Sequence, residues 1–356
     1  MRFGHRVQGT VQGYDDKGRG VFELRGTDGS QTGMGLVAIP FSAKDDEVTA
    51  IFMQRDRGTK ICKLESIIKP GPDRIIPPCP HAGTCGGCLW QHLKYEAQLG
   101  LKRDAINSAF KKTGHAESVE IVIPCPGQFH YRNRMDYAVG WNGEIGLKEY
   151  GSWSRYVDLK TCLLLDDGAG EILQHVRDWM RESDLQPWDA KYFTGDIRYV
   201  VMREGKNTKQ RLIVVVVHDA QRVSSDHRSS LISRLSPVCT SLLIGEQNLK
   251  TDISLAQKFE ALKGEPWLEE EINDIRYRIH PNSFFQTNSM MAGELQKQVL
   301  SYLVPGTILD LYCGLGFFGI YLARQNPDFR IHGFEIDEPA VELAKFNAEK
   351  NGVAER

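Results

Sequence analysis

Three thiols stand close together in "CPHAGTCGGCLWQH", at Cys79, Cys85 and Cys88, with the spacing C-x5-C-x2-C. Thiolates grouped this way bind metal, and structural zinc and iron–sulfur clusters both ordinarily take four ligands, so the loop needs a partner elsewhere. The remaining cysteines are Cys62, Cys125, Cys162, Cys239 and Cys313. Cys62 falls in an alternating strand and Cys313 in a glycine turn, and Cys162, in "VDLKTCLLL", is the best placed. Zinc generally takes paired C-x2-C knuckles or a Cys/His mixture, whereas a three-cysteine loop with one distant cysteine points to a [4Fe–4S] cluster. Radical chemistry would need a C-x3-C-x2-C loop and an open iron position, so the spacing argues against it. Unconnected buried thiols are a poor alternative, because "CGGC" between polar residues makes a poor core segment.

A second constellation lies in "DLYCGLGFFG". The strand Thr307–Leu311 ends at Gly314 and Gly316, whose missing side chains let the backbone approach a ligand at the carboxyl edge of a sheet. Glu335 closes the next strand about twenty residues on, where an acidic side chain can accept hydrogen bonds from ribose hydroxyls. Phe317 and Phe318 precede Gly319, so the turn is not G-x-G-x-x-G. That favours an adenosine ligand without a pyrophosphate, such as S-adenosylmethionine, over NAD.

These residues need elements to hold them. Residues 1–66 alternate apolar and polar positions in short runs separated by Gly/Asp clusters, which predicts a small OB-like β-barrel of a kind that binds RNA. "IIKPGPDRIIPPCP" is punctuated by proline and predicts a linker. Helical spacing follows over 91–113, then β-rich text with helices at "GEILQHVRDWMRESD" and "DHRSSLISRLSP", so 67–274 predicts a central α+β domain. From 275 to 356 the order helix, strand, glycine turn, helix, strand, helix opens a doubly wound, Rossmann-like α/β sheet. The fold class is therefore multidomain.

The bulk numbers exclude other classes. The chain has 356 residues, 41% hydrophobic and 25% charged, and no apolar run approaches the ~20 residues of a bilayer span. "MRFGHRVQGT" has no secretory h-region, which predicts a cytoplasmic protein whose eight cysteines are not a disulfide framework. The net charge of -2 says nothing against nucleic acid, since "LKRDAINSAFKKTGH" and "FHYRNRMDYAV" are locally basic and carry aromatics.

Taken together, the barrel, "PDRIIPPCPHAGTCGGCLWQH", "NSFFQTN", "LDLYCGLGFFG" and "GFEID" resemble, in that order, the RNA uracil-C5 methyltransferases with an N-terminal TRAM domain, in particular the iron–sulfur branch acting on large-subunit (23S) ribosomal RNA. The resemblance covers nearly the whole chain. It implies that Cys79, Cys85, Cys88 and Cys162 ligate a [4Fe–4S] cluster. It implies that Gln286, Tyr312, Gly314, Gly316, Phe317 and Glu335 surround S-adenosylmethionine, with Phe317 standing where many members place a polar contact. Arg132 and Arg134 would hold RNA phosphates, Phe284 and Phe285 would lie near cofactor or RNA, and helix 91–113 would pack on the methyltransferase domain. It further implies a cysteine thiolate that adds to uracil C6, making C5 nucleophilic enough to take the methyl group, and a base that removes the C5 proton. The family's "D-P-P-R" segment, nucleophile and base are expected beyond residue 356, so the chain is expected to be C-terminally truncated, a monomer, and inactive alone. Transfer RNA as substrate, or a noncatalytic RNA-binding module, are the alternatives.

Overall fold

The computed structural model describes residues 2–24 and 35–356; positions 1 and 25–34 of the expected barrel lie outside the described residues. The chain divides into two compact units, one of residues 1–124 with 149–153, the other of 125–148 with 154–356.

In the first unit the apolar alternation is realised as β1 (Arg6–Thr10), β2 (Gly13–Tyr14), β3 (Gly20–Glu23), β4 (Leu36–Ile39), β5 (Glu47–Asp56) and β6 (Thr59–Lys69). They form one sheet in the order β1-β5-β6-β4-β3-β2. Its two edge strands are successive pieces of one chain run. The Val11 N–H donates to Asp46 O and the Gln12 N–H to Val21 O, so the run pairs on both sides and the sheet closes on itself. Val7, Val11, Phe22, Val37, Ile39, Val48, Ala50, Phe52 and Cys62 fill the interior. Burial there pushes the Cys62 thiol up to about 11, so it is a packing residue.

The proline-punctuated stretch after β6 is anchored to the barrel. Asp46, fully buried, accepts from the backbone of Ala43 (2.6 Å) and Gly71 (2.8 Å) and from the Arg74 guanidinium (2.6 Å). A buried carboxylate requires such compensation, which is why residues 71–74 are pinned. Trp90 Nε1 donates to Gly18 O (2.8 Å), and the Tyr150 N–H donates to Thr84 O (2.9 Å). The cysteine-bearing stretch thus shares a unit with the barrel, whereas the sequence groups it with the residues up to 274. Helix α1 (Tyr95–Lys112), a helix that the spacing predicts over 91–113, belongs to this unit and not to the one that holds the methyltransferase portion.

The second unit is built on seven strands: β7 (Arg134–Val139), β8 (Ile145–Lys148), β9 (Tyr156–Asp158), β10 (Ile197–Glu204), β11 (Arg211–Val217), β12 (Ser241–Glu246) and β13 (Lys258–Lys263). They lie in the order β13-β12-β11-β10-β7-β8-β9, and every residue of β10 is buried. Helices α2 (Ala169–Glu182) and α3 (Ser225–Leu235) are joined by a hydrogen bond from Trp179 Nε1 to His227 O (2.9 Å). A hairpin follows, β14 (Leu268–Ile272) and β15 (Ile275–Ile279), whose two turn residues, Asn273 and Asp274, both have positive φ, as a two-residue hairpin turn requires. The boundary predicted at 274 falls inside that turn.

Helix α4 (Ser289–Ser301) leads into β16 (Gly306–Leu311), α5 (Phe317–Gln325), β17 (Phe329–Phe334) and α6 (Glu338–Lys350). β16 and β17 pair in parallel from Gly306 opposite Phe329 to Leu311 opposite Phe334. The inward side chains of β15, with Phe285, Phe317, Ile320, Tyr321 and Phe329, form one apolar cluster. On the strands themselves Leu309, Leu311 and Phe334 are more than half exposed.

Candidate functional site

The glycine turn is held by backbone geometry. Past Leu311 the chain takes a left-handed conformation at Tyr312 (φ 62°), and the Cys313 N–H donates to Phe334 O (3.0 Å). Gly314 and Gly316 then have φ of 55° and 88°, which side chains rarely adopt, and Gly316 caps α5. Asp310 Oδ2 accepts from the Gly319 N–H (3.1 Å), fixing the helix start to the strand, and burial holds its carboxyl above the usual range. Cys313 Sγ packs so close to Gly333 that a β-carbon there would lie 2.9 Å from it, and burial, then Asp310 and Glu335, raise this thiol.

Glu335 completes the turn. Oε1 accepts from the N–H groups of Asp337 (3.0 Å) and Ile336 (2.8 Å), and Oε2 from Gly314 (3.0 Å). These bonds, that of Asp337 first, hold the carboxylate below its ordinary range, so it is ionised and fixed in direction. Around it the surface is open and apolar: Tyr312 is 88% and Ile336 93% exposed, and nothing lies within 4 Å of where a Gly314 side chain would begin. An aimed carboxylate between two uncovered apolar side chains, at the carboxyl ends of two parallel strands, suits a ribose carrying a flat apolar base.

The "NSFFQTN" segment runs from Asn282 to Asn288 and is clamped by the start of β7 and the end of β10. Arg203, completely buried, donates to the carbonyls of Pro281 (3.0 Å) and Ser283, and Arg134 also donates to Pro281 O (3.1 Å). Asn133 Nδ2 donates to Gln286 O (2.7 Å) and its N–H to Thr287 O (2.8 Å). The two arginines stand opposite each other across the strands; Asp136, forked by Arg134 at 2.8 and 2.9 Å, and the carbonyls offset their repulsion. Even so, burial and then Arg134 push Arg203 down to about 9.

The predicted site residues therefore take different positions. Phe317 and Phe285 are buried against each other (ring centroids 5.4 Å apart) and against Tyr277, so their side chains are core. Phe284 is 73% exposed, and Gln286 is half-buried. Arg134 is committed to Asp136 and Pro281, and the Arg132 N–H donates to Leu164 O (2.9 Å). A cleft of 510 Å³ opens beside Phe284, lined also by Arg134, Asp136, Tyr199, Asp252 and Ser254. Arg203 and Asn133, which sequence spacing did not single out, set this segment. A cue existed for Arg134 and Asp136, since residues two apart on a strand share a face.

Cys79, Cys85 and Cys88 lie in a run of turns, where the Gly87 N–H points at Cys85 Sγ (3.4 Å) and Gly83 has a φ of 87°. Cys162 lies in the other unit, in the loop after β9. The donor set is chemically suited to a cluster, but among the described residues no three His, Cys, Asp or Glu side chains are gathered into a metal site. No helix among them is long and apolar enough to cross a membrane.

Known proteins resemble this chain over most of its length. The family described as "Methyltransferase small domain" matches residues 276–356. The tRNA (uracil(54)-C(5))-methyltransferase of Pyrococcus horikoshii is 34% identical over 98% of this chain and 78% of its own length. The 23S rRNA (uracil(747)-C(5))-methyltransferase of the same organism is 32% identical over 93% and 77%. The crystal structure of Pyrococcus abyssi tRNA (uracil-54, C5)-methyltransferase in complex with S-adenosyl-L-homocysteine superposes with a TM-score of 0.78 at 30% identity, covering 97% of this chain and 77% of that one. Likeness of this extent, to enzymes of one activity on two RNA classes, places the chain in the RNA uracil-C5 methyltransferase family.

Proposed function

We propose that the protein methylates C5 of one uridine in structured RNA, ribosomal or transfer, with the methyl donor held by the turn of Tyr312, Gly314 and Gly316 and by Glu335. The observation that carries this reading is the Glu335 carboxylate, fixed by three backbone N–H groups beside uncovered Tyr312 and Ile336. When bound, S-adenosylmethionine supplies an electrophilic methyl group on a sulfonium. Glu335 accepts from the ribose hydroxyls, Tyr312 and Ile336 cover the base, and Gly314 and Gly316 leave room for the backbone approach. Gln286, on its clamped segment, faces the donor, while Phe317 supports the turn from the core. The chemistry requires a thiolate that adds to C6 and a base that removes the C5 proton. Cys62, Cys239 and Cys313 are unsuited, because burial raises all three thiols, and we assign no nucleophile among the described residues.

The reading retains a 1–66 RNA-binding barrel of TRAM type, a 67–274 central domain and a 275–356 methyltransferase portion, in the cytoplasm. It also retains a structural [4Fe–4S] cluster on Cys79, Cys85, Cys88 and Cys162, on the strength of the loop's composition. Disrupting the gene in the organism that carries it, followed by nucleoside mass spectrometry of 23S ribosomal RNA and transfer RNA, tests the function. Loss of a single 5-methyluridine from one RNA class is expected and names the substrate. An unchanged 5-methyluridine complement in both would overturn the proposal.

A further inference from the structure

Behind Gln286 lies a chain of buried polar side chains that starts at a carboxylate. Glu270, on β14, is completely buried, and its four described hydrogen bonds come from neutral donors. Oε1 accepts from the N–H groups of Asn207 (3.0 Å) and Glu271 (3.0 Å), and Oε2 from the Lys206 N–H (2.8 Å) and the Ser289 hydroxyl (2.8 Å). A buried carboxylate must collect such donors, and in doing so it fixes the direction of the one hydrogen that Ser289 has to give.

That direction propagates. Ser289, the first residue of α4, can then only accept at its remaining positions, and what it accepts is an N–H of the Asn133 carboxamide (2.8 Å). The other N–H of that amide donates to Gln286 O (2.7 Å). Both partners of the amide are acceptors, so its orientation is determined: turned over, Asn133 would set its oxygen against two others. The orientation leaves Asn133 Oδ1 buried without a partner, a cost sustained because both N–H groups are needed where they are. The Asn133 backbone N–H adds a bond to Thr287 O (2.8 Å). Gln286 itself is half-buried, and its own carboxamide has no hydrogen-bond partner among the described residues. A backbone fixed from behind under an unengaged polar side chain is the arrangement of a residue held out for a ligand.

We propose that Glu270, Ser289 and Asn133 are positioning residues of the methyl-donor site, which fix the backbone of Gln286 and thereby aim its carboxamide at the donor. The inference rests on the reading of the donor site above and extends it to three buried residues that act through Gln286.

Calorimetric titration of the full chain with S-adenosylhomocysteine tests it by double-mutant cycles. Gln286→Ala is expected to weaken binding about tenfold and Ser289→Ala about fivefold. The double variant should bind no more weakly than Gln286→Ala alone, because the residue through which Ser289 acts is already gone. Combined with Glu335→Gln, an independent contact, Ser289→Ala should instead keep its full effect of about fivefold. Asn133→Ala is carried through the same two combinations, so that the test does not depend on one variant folding. A loss that persists undiminished in the Gln286→Ala background, an affinity untouched by Gln286→Ala, or no loss from either buried substitution in folded protein would overturn the positioning role and leave the Glu335 turn standing as the donor site. Absence of binding by the unaltered chain would contradict the donor site itself.

Discussion

A carboxylate that accepts three backbone N–H bonds can hardly turn away, and this gives Glu335 its value in the site. Glu335→Gln removes the charge and half of the acceptor capacity, and hydrogen bonds to charged groups contribute about 1.5–3 kcal/mol. Affinity for S-adenosylhomocysteine, measured by calorimetry, is therefore expected to fall at least tenfold. Gly333 makes a separate point about packing. Its missing side chain is the space that Cys313 Sγ occupies, so Gly333→Ala is expected to destabilise the second unit by about 1–3 kcal/mol in urea denaturation. Adding Cys313→Ala should restore most of the loss; if it does not, the clash is not the cause. Glu335 and the glycines were legible in the sequence because strand, turn and acidic residue follow one another within a short stretch. Arg203 was not, because its partners Pro281 and Ser283 lie about eighty residues on and are brought to it by folding that spacing alone does not display.

At the scale of elements, the clamp on "NSFFQTN" depends on Arg203, which is buried and donates to Ser283 O and, together with Arg134, to Pro281 O. Arg203→Met is expected to cost about 2 kcal/mol of unfolding free energy by leaving Ser283 O unpaired and Pro281 O to Arg134 alone, and Arg203→Lys should recover little, since one ammonium does not reproduce the fork. Recovery by lysine would show that charge, not shape, holds the segment. The stretch that ends at Leu93 supplies a pH test. His92 is buried, and desolvation, then Arg74, lower it to about 4, so the folded first unit keeps it neutral. The unfolded chain takes up a proton below about pH 6.5 and the folded one does not. Stability is therefore expected to fall progressively from pH 6.5 to about 4, by up to roughly 3 kcal/mol, and His92→Gln should flatten that slope in thermal melts. The helices were legible from their periodicity. The anchoring of residues 71–74 was not, because proline content suggests a linker while the decisive group, buried Asp46, lies 25 residues earlier.

For the molecule as a whole, the two units divide the work between a closed barrel with the cysteine loop and a second unit whose seven-stranded sheet carries the clamp and the cleft and whose parallel pair β16–β17 carries the glycine turn. Their assignment to one enzyme was legible because the motifs keep their order along the chain. The cleft was not, since its walls come from β7, β10 and two later loops and are assembled only by strand register. In the proposed ligand set, Cys162→Ser is expected to abolish the visible absorption of anaerobically purified protein, whereas an unaltered spectrum would remove Cys162 from the cluster. The most direct test of the donor site is calorimetric titration of the chain with S-adenosylhomocysteine, before and after Glu335→Gln. One saturable site that is weakened at least tenfold by the substitution is expected; absence of binding, or binding indifferent to Glu335, would contradict the assignment of this turn as the methyl-donor site.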